Sequence, residues 1–140
     1  MSVRLTSDGP VAIVDDDALD FRMASRAAAR SRLPNPLRHF DSGEAFPSHL
    51  PAVADDSEPR PALVLMDINM PGLNGHETVR RVREDPAFRG IPIIAMLTSS
   101  RDPIDRRTAA ENGANDYFEK PFRVEEYVAF FDSLIGPEEE

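Results

Sequence analysis

The sequence predicts an α/β protein built on a parallel sheet with helices covering both faces. Two observations carry this. Short apolar runs alternate with longer, helix-like stretches five times along the 140 residues, the pattern of repeated βα units. Three of those runs are apolar at every position, as strands covered on both faces are. A third observation points to where the site lies. The run Leu63-Val64-Leu65-Met66 leads into Asp67, and a turn rich in Pro, Gly and Asn (Pro71, Gly72, Asn74, Gly75) follows at once. A strand ending there leaves a carboxylate at its carboxyl end, where open α/β sheets hold their ligands.

The elements follow in order. Val11-Ala12-Ile13-Val14 is a first strand, ending in Asp15-Asp16-Asp17. Residues 18–32, rich in Ala and Arg, form a helix, with Leu19, Met23 and Ala27 recurring every four residues as its buried face. Pro34 and Pro36 stop it. Leu37-Arg38-His39-Phe40 is a second strand. A short helix over residues 44–50 has to accommodate Pro47, and residues 51–61, with three prolines and three acids, form a long solvated loop. Leu63-Val64-Leu65-Met66-Asp67 is the third strand and residues 76–84 the next helix, with Val79 and Val82 inward. Ile93 to Leu97 is a fourth strand that delivers Thr98, Ser99 and Ser100 to its end. Asp102-Pro103 starts a helix, an acid cap before proline at the first helical position, and Asn112-Gly113 ends it. Asp116-Tyr117-Phe118 is a fifth strand, ended by Lys120-Pro121. Val124, Tyr127, Val128, Phe131, Leu134 and Ile135 then repeat at helical spacing.

Composition bounds the function. Hydrophobic residues at 41% and charged residues at 29% describe one globular domain, over residues 11–135, between a flexible arm (1–10) and an acidic tail (136–140), with no output domain. A net charge of −9 argues against a nucleic-acid partner. No apolar run is long enough to span a membrane and no signal peptide is visible, which points to the cytoplasm. The absence of cysteine removes disulfides, thiolate catalysis and zinc–thiolate sites.

Parallel strands present their carboxyl ends on one edge, so Asp15, Asp16, Asp67, Thr98 and Lys120 converge there. Carboxylates that close together repel unless a cation intervenes. Oxygen ligands without His or Cys favour a hard ion such as Mg²⁺. Lysine and a hydroxyl suit phosphate oxygens, and together the set fits phosphoryl chemistry.

The motifs Val14-Asp15-Asp16-Asp17, Leu65-Met66-Asp67-Ile68-Asn69-Met70-Pro71-Gly72-Leu73-Asn74-Gly75, Leu97-Thr98-Ser99-Ser100 and Tyr117-Phe118-Glu119-Lys120-Pro121-Phe122 occur in that order. With those motifs the chain resembles the receiver domain of two-component response regulators, over nearly its whole length. The resemblance implies a doubly wound, flavodoxin-like (βα)5 sheet with strand order 2-1-3-4-5. It implies that Asp67 accepts a phosphoryl group from a sensor histidine kinase. Mg²⁺ would then be held by the carboxylates of Asp16 and Asp67 and the backbone carbonyl of Asn69, with Asp15 supporting it through water. Lys120 would pair with the phosphoryl group ahead of a cis Lys120–Pro121 bond, while Thr98 and Tyr117 would move as a switch. Asp20, the polar loop and Thr98-Ser99-Ser100 resemble stand-alone regulators that accompany phytochrome-type kinases. Such relatives imply a homodimer through the fourth helix, fifth strand and fifth helix, with output by protein contact or onward phosphotransfer.

Plainer roles stand beside these. Asp17 suits a helix N-terminus alone, Asp20 a solvated charge, and Tyr117 an aromatic packed between the last helices. His39, His49 and His76 show no ligand spacing. Phe118, Phe122 and Phe130 have no obvious place in one core and suggest an exposed apolar patch. A Mg²⁺-dependent phosphatase of the haloacid dehalogenase type also places Asp, Thr or Ser, and Lys in this order. It wants an acid where Asn69 stands, and asparagine cannot transfer a proton. A partner-binding pseudo-receiver is disfavoured by the complete set of Asp16, Asp67, Thr98 and Lys120.

Overall fold

The computed structural model describes residues 3–97 and 103–135. The elements are β1 (Val11–Val14), α1 (Ala18–Arg30), β2 (Leu37–Phe40), α2 (Ala45–Ala54), β3 (Leu63–Asp67), α3 (Gly75–Glu84), a 3₁₀ turn (Pro86–Phe88), β4 (Ile93–Leu97), α4 (Pro103–Asn112), β5 (Asp116–Glu119) and α5 (Val124–Ile135). All strand pairs are parallel and lie in the order β2-β1-β3-β4-β5. The expected doubly wound sheet is therefore the one observed.

Alternation along the strands divides the core in two. Val11 and Ile13 of β1, Leu63 and Leu65 of β3, and Ile94 and Met96 of β4 face α1 and α5, whose Ala24, Ala27, Tyr127, Phe130, Phe131 and Leu134 are buried against them. Ala12, Val14, Val64, Met66, Ala95 and Leu97 point the other way, onto Phe46, Leu50 and Val53 of α2, Val79 and Val82 of α3, and Ala109 of α4. β3 and β4 are buried at every position. With neighbours on both edges and helices on both faces, β3 is held along its whole length, so Asp67 sits on a stiff support.

Several expectations need correcting. Leu19 is 70% exposed; the buried stripe of α1 runs through Ala24 and Ala27, and five residues at 100° each put Leu19 roughly 140° away from Ala24. α1 also stops at Arg30, two residues early, where the Ser31 N–H reaches back to the carbonyls of Ala27 and Ala28. α2 runs to Ala54, into the stretch expected as loop, and tolerates both prolines. Pro47 lies in the first turn, where an N–H has no helical partner anyway. Pro51 forfeits one helical bond, offset by burial of Phe46, Leu50 and Val53 on one face.

Residues 3–10 are docked rather than a free arm. The Leu5 N–H donates to the Leu134 carbonyl at 3.0 Å, the Asn35 amide holds the carbonyls of Ser7 and Gly9, and Val3 and Leu5 pack on the α1–α5 core. Phe130 is buried and Phe118 packs against it, ring centroids 4.6 Å apart. Of the three phenylalanines expected as a patch, only Phe122 is exposed, at 77%. The Lys120–Pro121 bond is trans, like every described peptide bond, which is the isomer that X–Pro bonds prefer intrinsically.

Candidate functional site

Three strand ends build the site. Asp15 follows β1, where its N–H donates to the Phe40 carbonyl of β2 (3.0 Å). Asp67 is the last residue of β3. Lys120 follows β5, its N–H fixed on the Leu97 carbonyl at 2.7 Å. Gly75 lets α3 begin hard against this edge. A Cβ at that position would stand 2.3 Å from the Asp67 carbonyl oxygen and 2.7 Å from Ile68 Cα. No side chain fits there.

One carboxylate oxygen from each of Asp15, Asp16 and Asp67 lies within 4.8 Å of the others. Asp15 and Asp67 are buried, whereas Asp16 is exposed and opens the cluster to solvent. Local turns aim the two inner groups. The Asp17 N–H donates to Asp15 Oδ1 at 2.9 Å, and the Asn69 N–H donates to Asp67 Oδ1 at 3.1 Å. Their Oδ2 atoms are left to Lys120, whose Nζ stands 2.9 Å from Asp15, 3.4 Å from Asp67 and 2.6 Å from Asp20.

Three carboxylates, those of Asp15, Asp20 and Asp67, thus gather at one ammonium with Asp16 beside them, and the electrostatics follow. Burial pushes the Asp67 carboxyl up from 3.8 to about 6, with Asp15 adding repulsion and Lys120 opposing both. Burial raises Asp15 as well, against the Asp17 N–H and Lys120. At Lys120 burial disfavours the charge, but the bonds to Asp20 and Asp15 and the Asp67 charge outweigh it and hold the ammonium protonated. The lysine is more than compensated while the acids are not, so the cluster is short of positive charge. An all-oxygen, electron-rich donor set open on the Asp16 side fits a hard divalent cation.

Asp15, Asp16, Asp67 and Lys120 therefore meet as the sequence predicts. Asn69 is tied to Asp67 through its N–H. Thr98, with Ser99 and Ser100, lies outside the described residues. Tyr117 does not reach the cluster and is not packed between the last helices. It is 37% exposed on β5, with the Arg106 guanidinium of α4 5.7 Å above its ring and Arg106 Nη1 3.4 Å from its hydroxyl.

Two residues read as bland turn out to belong to the site. Asp20 makes the shortest bond to Lys120. Its position one helical turn beyond Asp16 was the available signal. His39 donates from Nε2 to the Asp15 carbonyl at 2.8 Å, and its ring stacks on Phe21 at 4.2 Å and 5°. No spacing rule finds it, because the contact exists only through the β1–β2 register that sets His39 against Ile13.

Fold and site together define a doubly wound α/β module with an acidic centre and a lysine on the carboxyl edge of its sheet. Residues 11–132 match the response regulator receiver domain, and the chain belongs to that family. It is a receiver domain of two-component response regulators, a class that works with histidine kinases. Among solved structures it is similar to the response regulator RPA3017 in red light signalling of R. palustris. The two are 31% identical, with a TM-score of 0.77 and 89% of this chain and 90% of that one covered. It is also similar to the bacteriophytochrome response regulator RtBRR, at 28% identity and TM-score 0.73, covering 94% and 80%. The Mn²⁺-bound form of the response regulator Rcp1, 22% identical with TM-score 0.75 over 91% of both chains, shares the fold. The DNA-binding response regulator MtrA of Mycobacterium tuberculosis is 46% identical over 72 residues, 51% of this chain but 30% of MtrA. The chain thus spans under a third of the length of that relative. No helix among the described residues is long and apolar enough to cross a membrane.

Proposed function

We propose that this protein is a response regulator whose receiver domain takes a phosphoryl group from a sensor histidine kinase onto Asp67. The observation that carries this is the pairing at the end of β3. A buried carboxylate whose Oδ1 is fixed by the Asn69 N–H presents Oδ2 toward Lys120 Nζ, 3.4 Å away. Asp16 and Asp67 would hold Mg²⁺ through their carboxylates and Asn69 through its carbonyl, with Asp15 supporting through water. The bound ion would neutralise charge on the transferring phosphoryl oxygens.

The chain's own groups do the rest. An Asp67 Oδ atom forms the new O–P bond as the P–N bond of a phosphohistidine breaks. The electron pair leaves with the imidazole nitrogen, which takes a proton. Lys120 neutralises the phosphoryl oxygens, and the hydroxyl of Thr98 donates to one of them. Burial of Asp67, 6% exposed, limits competing water. Thr98 and Tyr117 then act as the switch, biasing a two-state surface. Tyr117 begins that step from its exposed seat under Arg106. The likeness to RtBRR and RPA3017 supports a bacteriophytochrome as the kinase. Output passes through changed protein contacts or onward phosphotransfer in the cytoplasm, with homodimerisation through α4, β5 and α5.

Incubation with phosphoramidate and intact-mass measurement tests the reading. The expected result is one phosphoryl adduct per chain, dependent on Mg²⁺ and absent in Asp67→Asn. No adduct with Mg²⁺ present would leave a pseudo-receiver. Many turnovers of a phosphomonoester per molecule would indicate a phosphatase.

A further inference from the structure

We propose that Asp20 is a second anchor for Lys120, holding the ammonium back from Asp67 in the unphosphorylated protein, so that Asp20 and the phosphoryl group compete for one cation. This rests on the phosphoacceptor reading of Asp67 and deepens it.

Asp20 lies in the first turn of α1, yet the helix does not need its carboxylate. The N-cap is Asp17, whose side chain accepts the N–H groups of Leu19 and Asp20. The Asp20 carboxylate instead reaches the segment after β5, where Oδ2 stands 2.6 Å from Lys120 Nζ. That is shorter than the lysine's 2.9 Å to Asp15 and 3.4 Å to Asp67. An ammonium has three N–H donors. Two are committed to close partners, and the third meets Asp67 at the edge of hydrogen-bonding range. The lysine side chain is 17% exposed and that of Asp20 28%, so the bridge sits at the rim of the site, where it can open without dismantling the core.

A phosphoryl group on Asp67 places three more oxygens and up to two negative charges beside Nζ. Lys120 can serve them by releasing Asp20. It cannot release Asp15 as readily, because that carboxylate is buried and would be left uncompensated. Asp20 turns to water at little cost. The order of release is therefore set by burial. Asp20 stabilises the resting arrangement and slows entry into the phosphorylated one.

The test follows phosphoryl-adduct formation by intact mass, with phosphoramidate and Mg²⁺ at about 0.15 M salt, which screens long-range charge effects. It compares the wild type with Asp20→Asn and Asp20→Glu, and repeats Asp20→Asn in a Lys120→Ala background. Asp20→Asn should accelerate adduct formation by about three- to fivefold, the size expected of a partly exposed charge pair. Asp20→Glu should stay within about twofold of wild type. Without the lysine, the effect of Asp20→Asn should fall below about twofold, as a pairwise coupling requires. An unchanged rate in Asp20→Asn, or equal acceleration with and without Lys120, overturns the anchor alone. No adduct on the wild type overturns the phosphoacceptor reading, and the anchor with it.

Discussion

Replacing Asp67 with asparagine should make the protein more stable, although Asp67 is the centre of its site. The change keeps the shape and the oxygen that accepts the Asn69 N–H, and it removes one negative charge from a cluster short of cations. A carboxyl held at about 6 in the fold against 3.8 in the open chain weakens the folded state at neutral pH by about 3 kcal/mol, at about 1.4 kcal/mol per pH unit. Partial solvation of the cluster reduces this to about 2 kcal/mol. The sign follows from proton binding. Between pH 3.8 and about 6 the folded protein binds the proton more tightly than the unfolded chain. Wild-type stability therefore falls as pH rises through that window, while the asparagine variant lacks this loss. Below pH 4 the two proteins should converge on this count, and above pH 6 the variant should lead by the full amount. Urea unfolding in EDTA at pH 4, 5, 6 and 7 measures the difference from the midpoints at unchanged slope. Thermal unfolding should show a gain on the order of 6 °C at pH 7. A variant no more stable than wild type at pH 7, or a difference independent of pH, would refute the reasoning.

Three further outcomes are expected. Mg²⁺ at ten times its dissociation constant should raise wild-type stability by about 1.4 kcal/mol, and Asp16→Asn should lose most of that gain; calorimetric scans with and without the ion decide it. Gly75→Ala should cost about 1–3 kcal/mol by overpacking, because its methyl meets the Asp67 carbonyl at 2.3 Å. The same change should disturb phosphorylation, and a silent variant in denaturant melts would show that α3 can back away. Leu19→Ala, on an exposed residue, should shift stability by less than about 0.5 kcal/mol. Phe130→Ala should cost about 3–5 kcal/mol, so comparable losses in paired urea titrations would contradict the buried face assigned to α1.

The strands were legible because burial on both faces leaves an unbroken apolar run, and β1, β3 and β4 carry one each. The acids after β1 and at the end of β3 were legible for the same reason, since a strand's end fixes where those residues stand. Helix faces were less so. Alanine fills five of the thirteen positions of α1, and Ala24 and Ala27 are chosen for burial by a fit against α5 that hydrophobicity does not rank above Leu19. α2 extends beyond its expected end because tertiary burial of Leu50 and Val53 outweighs the bond that Pro51 removes.

The order of the chain alone thus established a parallel α/β sheet, its five strands, and an edge bearing Asp15, Asp16, Asp67 and Lys120, because these are consequences of local periodicity and strand ends. Tertiary structure alone decided how the single ammonium is shared, that Asp20 takes the shortest bond to it, that His39 holds the carbonyl of Asp15, and that residues 3–10 are docked. Those are distances between segments far apart in sequence. They depend on register and on how helices settle against the sheet, and no spacing along the chain encodes them.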